Sequence, residues 1–133
     1  MATTTETPAA SPYERFGGLA VLRRITDRFY DFMDTETEFA ALRAMHAPDL
    51  APMRQSLPLF LAGWSGGPRT WWDANPGKCM VSMHAPFDIN RETAAQWAAA
   101  MRRAIADVAP GDTAVAEALA DVLDQMARGM AKA

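Results

Sequence analysis

Leu22, Ile25, Phe29, Phe32 and Met33 recur at the spacing of one helix face. That stripe limits the fold more than any other feature. It places five apolar side chains along one flank of a helix from about Leu19 to Met33. Similar stripes follow: Leu57, Phe60, Leu61 and Trp64; then Ala94, Trp97, Ala98, Met101, Ile105 and Val108; then Val115, Ala118, Leu119, Val122, Leu123 and Met126. Nothing alternates at period two for more than a few residues, so no strand is expected. The pattern predicts an all-α chain of four main helices and two or three short ones.

The breaks between stripes carry their own signals. Ser11-Pro12-Tyr13-Glu14 reads as a helix start, with serine as cap, proline at the first position and glutamate bonding back. Gly17-Gly18 stops that helix within a turn or two. Asp34-Thr35-Glu36-Thr37 ends the next helix and caps a short one through Arg43. Ala44 to Pro48 is a corner, because a residue before proline is pushed away from helix. Asp49 caps a helix reaching about Trp64, in which Pro58 should remove one backbone bond and introduce a kink. From Arg69 to Cys79 the residues are mixed and read mostly as loop, with at most a short helix before His84. Asn90 caps one long helix; Pro110-Gly111-Asp112 turns the chain and caps the last, about Thr113 to Met130.

A chain of 133 residues suits one domain, expected over residues 11–133. The preceding MATTTETPAA, residues 1–10, reads as a disordered polar tail rather than a signal peptide. A net charge of −3 argues against a general nucleic-acid binder. The single cysteine, Cys79, rules out an intrachain disulfide framework and suits a reducing compartment. No apolar run approaches the roughly 20 residues of a membrane span. A soluble cytoplasmic protein is expected.

Phosphate-loop, dinucleotide and G-x-S-x-G patterns are absent. With two histidines, His46 and His84, one cysteine and no H-E-x-x-H spacing, a structural zinc site is not expected. His84 lies in the stretch MVSMHAPFDI, residues 80–89. Taken alone, a histidine near a helix end reads as a cap or a surface residue. Its company points elsewhere. Phe29, Leu57, Phe60, Leu61, Met80, Phe87, Trp97 and Met101 are many large apolar groups for a domain this small. Tyr30 and Trp97 add polar handles that need partners when buried. A large flat apolar cofactor held by one imidazole accounts for the mixture, and haem is such a cofactor.

Several local patterns then carry a resemblance. They are Tyr13-Glu14-Arg15-Phe16-Gly17-Gly18, Arg28-Phe29-Tyr30, Phe60-Leu61-x-x-Trp64-x-Gly66-Gly67-Pro68, His84-Ala85-Pro86-Phe87-Asp88-Ile89 and Gln96-Trp97-x-x-x-Met101. In that order, over about Tyr13 to Ala109, the chain resembles the truncated haemoglobins of the second group. The resemblance implies a globin-like fold, the truncated two-over-two helical sandwich, with haem b as cofactor. It implies that His84 is the proximal iron ligand, with Pro86 and Phe87 turning the chain away and closing that side. Tyr30 matches the distal tyrosine, Trp97 the tryptophan typical of the group, and His46 a corner position held by an aromatic residue or histidine. Together these three would stabilise a bound ligand. Two good donors would slow O₂ release by roughly ten- to a hundredfold. Read without the resemblance, Tyr30 is a half-buried tyrosine, His46 a loop histidine and Trp97 a packing residue on a helix face.

The remaining haem contacts implied are Met53, Leu57, Phe60, Leu61, Arg69, Trp71, Met80, Met83, Phe87 and Met101. The chain also departs from the pattern. Met83 stands where the family often has an arginine for a haem propionate, so Arg69 or Lys78 is expected to serve. Met53 stands where the family tends to have a small residue, and should partly plug the ligand route. Pro58 within the distal helix is unusual. Expected partners are O₂, NO, CO or other small haem ligands, with a monomer or weak homodimer. Three functions stay open: reversible O₂ binding for storage, supply or sensing; an enzyme oxidising NO or using peroxide, with a separate reductase; and a haem-free helical interaction domain.

Overall fold

The computed structural model describes residues 11–78, 84, 87–108 and 110–131. Residues 1–10, read above as a polar tail, lie outside these, as do Cys79 and Pro86. In chain order the helices are α1 (Pro12–Phe16), α2 (Gly18–Thr35), a 3₁₀ turn (Thr37–Phe39), α3 (Ala40–Ala44), α4 (Ala51–Trp64), α5 (Thr70–Ala74), α6 (Arg91–Val108) and α7 (Thr113–Gly129). No strand occurs among the described residues.

Side-chain caps set the ends of these elements. The Ser11 hydroxyl accepts from the Glu14 amide at 3.2 Å, and the Ser11 amide donates to the Glu14 carboxylate at 3.2 Å. That closes a capping box and satisfies two orphan donors. Asn90 and Thr93 make the same reciprocal pair at the start of α6, at 2.8 and 3.0 Å. Asp112 accepts from the Val115 amide at 3.1 Å and caps α7. Asp49 accepts from the Ala51 amide at 3.0 Å, so it serves α4 from one residue outside the cap position, which Leu50 holds. Gly17 lies at φ 111°, a left-handed conformation open to glycine at little cost, and separates α1 from α2.

The stripe on α2 is buried as its spacing implies: Leu22, Ile25, Phe29, Phe32 and Met33 are all inside. It packs against α4 on one side and α6 on the other, and α6 packs in turn against α7. Phe39, Leu61 and Met101 complete the deepest layer with Leu22, Ile25, Phe29 and Met33. This is the two-over-two sandwich.

One expectation is corrected. Ala118 and Val122 are exposed, Val122 at 40%, because α7 packs on α6 and α1 through a narrower stripe of Ala116, Leu119, Ala120 and Leu123. The segment after Arg69 includes α5, the short helix that the sequence allowed before His84. There the Trp72 indole stacks on Phe60, with centroids 4.9 Å apart, and donates to the Phe60 carbonyl at 3.2 Å. Helix α4 runs through Pro58, which is almost fully buried.

Candidate functional site

A cavity of about 490 Å³ lies among these helices. That is within the range of small-molecule and cofactor sites. From α4 come Met53, Ser56, Leu57, Phe60 and Leu61, and Trp71 adds its ring from α5. Thr93, Ala94 and Trp97 line it from α6, and Leu123, Met126, Ala127 and Met130 from the C-terminal end of α7. His84, Phe87 and Ile89 come from the segment before α6. The wall is mostly apolar, and its titratable groups among the described residues are Tyr30, His46 and His84.

Tyr30 follows the fully buried Phe29 on α2, about 100° round the helix. Its ring meets Phe29 edge-on at 4.9 Å and faces His46 at 6.4 Å. Trp97 meets the other side of this cluster, 5.3 Å from Phe29. Neither the Tyr30 hydroxyl nor the Trp97 indole N–H has a hydrogen-bond partner among the described residues. No buried side-chain polar atom there lacks a partner either, so both donors must reach open space. Burial pushes the Tyr30 phenol well above its ordinary range, and the Arg54 guanidinium pulls it partly back. The hydroxyl therefore keeps its proton and stays a donor.

His46 is held by the corner around it. Its Nδ1 lies 2.8 Å from the Leu42 carbonyl. As a carbonyl only accepts, Nδ1 must carry the proton, and in the neutral ring Nε2 has the lone pair. Arg43 clasps the same corner, donating to the Ala47 and Pro48 carbonyls at 3.0 and 2.8 Å and to Asp34 at 2.7 Å. The Leu42 amide donates to Gln96 on α6 at 3.0 Å. Burial pushes the His46 imidazole below its usual value; the Leu42 carbonyl opposes this, while Arg43 and His84 add to it. The influence of His84 reflects two imidazoles set around one cavity. His84 is half-buried, with Phe87 at 6.2 Å.

Of the residues singled out from the sequence, Tyr30, His46, Met53, Leu57, Phe60, Leu61, Trp71, His84, Phe87 and Trp97 all line this cavity. Phe87 does so while remaining 46% exposed. Arg69 and Met101 do not line it. The Arg69 guanidinium lies over the Trp72 ring at 5.1 Å, and Met101 is sealed in the core one turn beyond Trp97. Lys78 is exposed and also absent from the wall. Met80 and Met83 lie outside the described residues. Sequence reasoning missed the corner residues Leu42, Met45 and Ala47 and the last turns of α7. For α7 the signal was present, since Leu123, Met126 and Met130 sit at helical spacing, but it read as core and helix end.

The chemistry of the wall fits a cofactor better than a bare ion. No group of three or more His, Cys, Asp or Glu side chains gathers to hold a metal among the described residues. An imidazole and a large apolar surface suit a macrocycle that brings its own iron and needs one axial ligand.

Comparison with known proteins points the same way. The sequence profile of the bacterial-like globins matches residues 11–132. A cold-adapted truncated haemoglobin from the Antarctic marine bacterium Pseudoalteromonas haloplanktis is 31% identical; its structure superposes with a TM-score of 0.87, covering 93% of this chain and 99% of that one. A group II two-on-two haemoglobin from the plant pathogen Agrobacterium tumefaciens is 26% identical, with a TM-score of 0.89 over 96% and 98% of the two chains. A thermostable haemoglobin from the actinobacterium Thermobifida fusca is 28% identical, with a TM-score of 0.82 over 92% and 98%.

Proposed function

This chain belongs to the bacterial-like globin family, and on that premise we propose that it binds haem b through His84 and uses it to take up small diatomic ligands reversibly. When bound, haem supplies an iron centre with a coordination position open to O₂, NO or CO. The observation that carries the reading is an apolar cavity lined by two imidazoles, His46 and His84, and by two donors that no described residue accepts from, Tyr30 and Trp97.

The roles of the chain's own residues follow from their chemistry. His84 would hold the iron as a neutral imidazole. Leu57, Phe60, Leu61 and Trp71 would exclude water from the macrocycle. Tyr30 and Trp97 would donate to a ligand that gains negative charge on binding, each bond contributing about 0.5–1.5 kcal/mol. His46 would complete the polar side, with Nδ1 committed to Leu42 and Nε2 an acceptor rather than a further donor to the ligand. Such a pocket retains its ligand, which suits storage, sensing or chemistry on the ligand better than rapid delivery.

The test is haemin titration of the purified protein. An intense Soret band that is lost in His84→Ala supports the reading; no band, or a band unchanged in that variant, overturns it. Steady-state NO consumption with a reductase and oxygen would assign an enzyme; oxidation of one equivalent without turnover would assign a binding protein. A reducing compartment, suited to the lone Cys79, is the setting we infer.

A further inference from the structure

Tyr30 presents its hydroxyl to the cavity, yet no described residue hydrogen-bonds that hydroxyl in place. Something else must fix the ring. Phe29 and His46 meet it edge-on, at 4.9 and 6.4 Å. The third neighbour is a cation: the guanidinium carbon of Arg54 lies 5.8 Å from the ring centroid.

Arg54 belongs to α4, between the wall residue Met53 and the wall residues Ser56 and Leu57. Its fork is tied to α2. One nitrogen donates to the Asp27 carbonyl at 3.1 Å and to the Asp27 carboxylate at 3.3 Å; another donates to Asp31 at 2.9 Å. Asp27 and Asp31 stand three residues before and one residue after Tyr30. The ties therefore bracket the tyrosine along its own helix. The Arg54 side chain is 27% exposed, so these bonds are only partly screened by water.

We propose that Arg54 is a positioning residue for Tyr30, laying a guanidinium across the phenol ring and locking α4 to α2 so that the hydroxyl points into the cavity as a donor. The planar fork is essential to this role, because it bonds two residues of α2 while staying near an aromatic ring. A lysine would keep the charge but lose the geometry. A cation beside a phenol also strengthens its O–H as a donor, which favours a bond to a ligand carrying negative charge. The inference rests on the haem reading above and extends it to a residue outside the cavity wall.

The experiment is a double-mutant cycle on haem-loaded protein: wild type, Arg54→Met, Tyr30→Phe and the double variant. Two readings are taken, the infrared stretching band of the CO complex and the O₂ dissociation rate. Arg54→Met should shift the band and speed O₂ release by roughly two- to tenfold when Tyr30 is present. In the Tyr30→Phe background it should change neither. A general structural effect would persist there, because effects of uncoupled sites add. Arg54→Lys should move both readings in the same direction as Arg54→Met, and it carries the cycle if the methionine variant does not fold. No change with Tyr30 present, or equal changes in both backgrounds, overturns the role of Arg54 while leaving the haem reading intact. A wild-type protein that takes up no haem overturns both.

Discussion

Tyr30 is 5% exposed and its hydroxyl has no described protein partner, so the molecule retains a polar group where a phenylalanine would pack. Function at the site explains that retention better than stability does. Tyr30→Phe and Trp97→Phe should each speed O₂ release from the haem-loaded protein by roughly two- to tenfold; stopped-flow rates unchanged in both would contradict the donor roles. His46 gives a pH dependence. Burial holds its imidazole below the ordinary value, so the unfolded chain binds the proton more readily than the folded one. Stability should therefore fall as pH drops through and below about 6.5, the unfolded histidine value. Thermal unfolding from about pH 7 to about pH 5 should show a smaller loss for His46→Gln than for wild type. Equal losses would show that His46 is not the group responsible.

The helices owe their limits to a few local devices, and these were the most legible part of the sequence. Ser11, Asn90 and Asp112 cap where their side-chain chemistry predicts, since a cap needs only neighbours in the chain. Asn90→Ala should cost about 0.5–2 kcal/mol in thermal unfolding, because the bond from the Thr93 amide to the Asn90 side chain goes with it. The α4–α5 junction was less legible. Helix α5 is only five residues long and is held by Trp72 on Phe60, a contact that spacing does not reveal. Gly63 makes that contact possible: a Cβ there would fall 2.3 Å from Trp72 Cδ1 and 3.4 Å from the Arg69 Cα. As the indole is both stacked and hydrogen-bonded, it cannot simply swing aside. Gly63→Ala should destabilise the fold by about 1–3 kcal/mol; an unchanged melting temperature would show that the junction is softer than its geometry implies. The exposed Val122 teaches the opposite lesson. Apolar spacing alone cannot tell how wide a stripe the neighbouring helix will cover.

Across the molecule, the cavity is assembled from segments far apart in sequence, from Tyr30 on α2 to Met130 beyond α7. Its aromatic and imidazole members were legible because few residue types combine such bulk with a ligand or donor atom. The apolar remainder was not, because Leu42, Met45 and Ala127 differ from core residues only in which way the assembled helices turn them. Arg69 shows the same limit from the other side: its charge suits a propionate, but packing lays it over Trp72. The purpose of the assembly comes down to one imidazole. In a titration of wild-type protein and His84→Ala with haemin, followed at the Soret band, wild type should saturate at one haem per chain. The variant should lose the histidine-ligated spectrum. Identical spectra from the two, or no saturable binding by wild type, would contradict the assignment of His84 as the iron ligand.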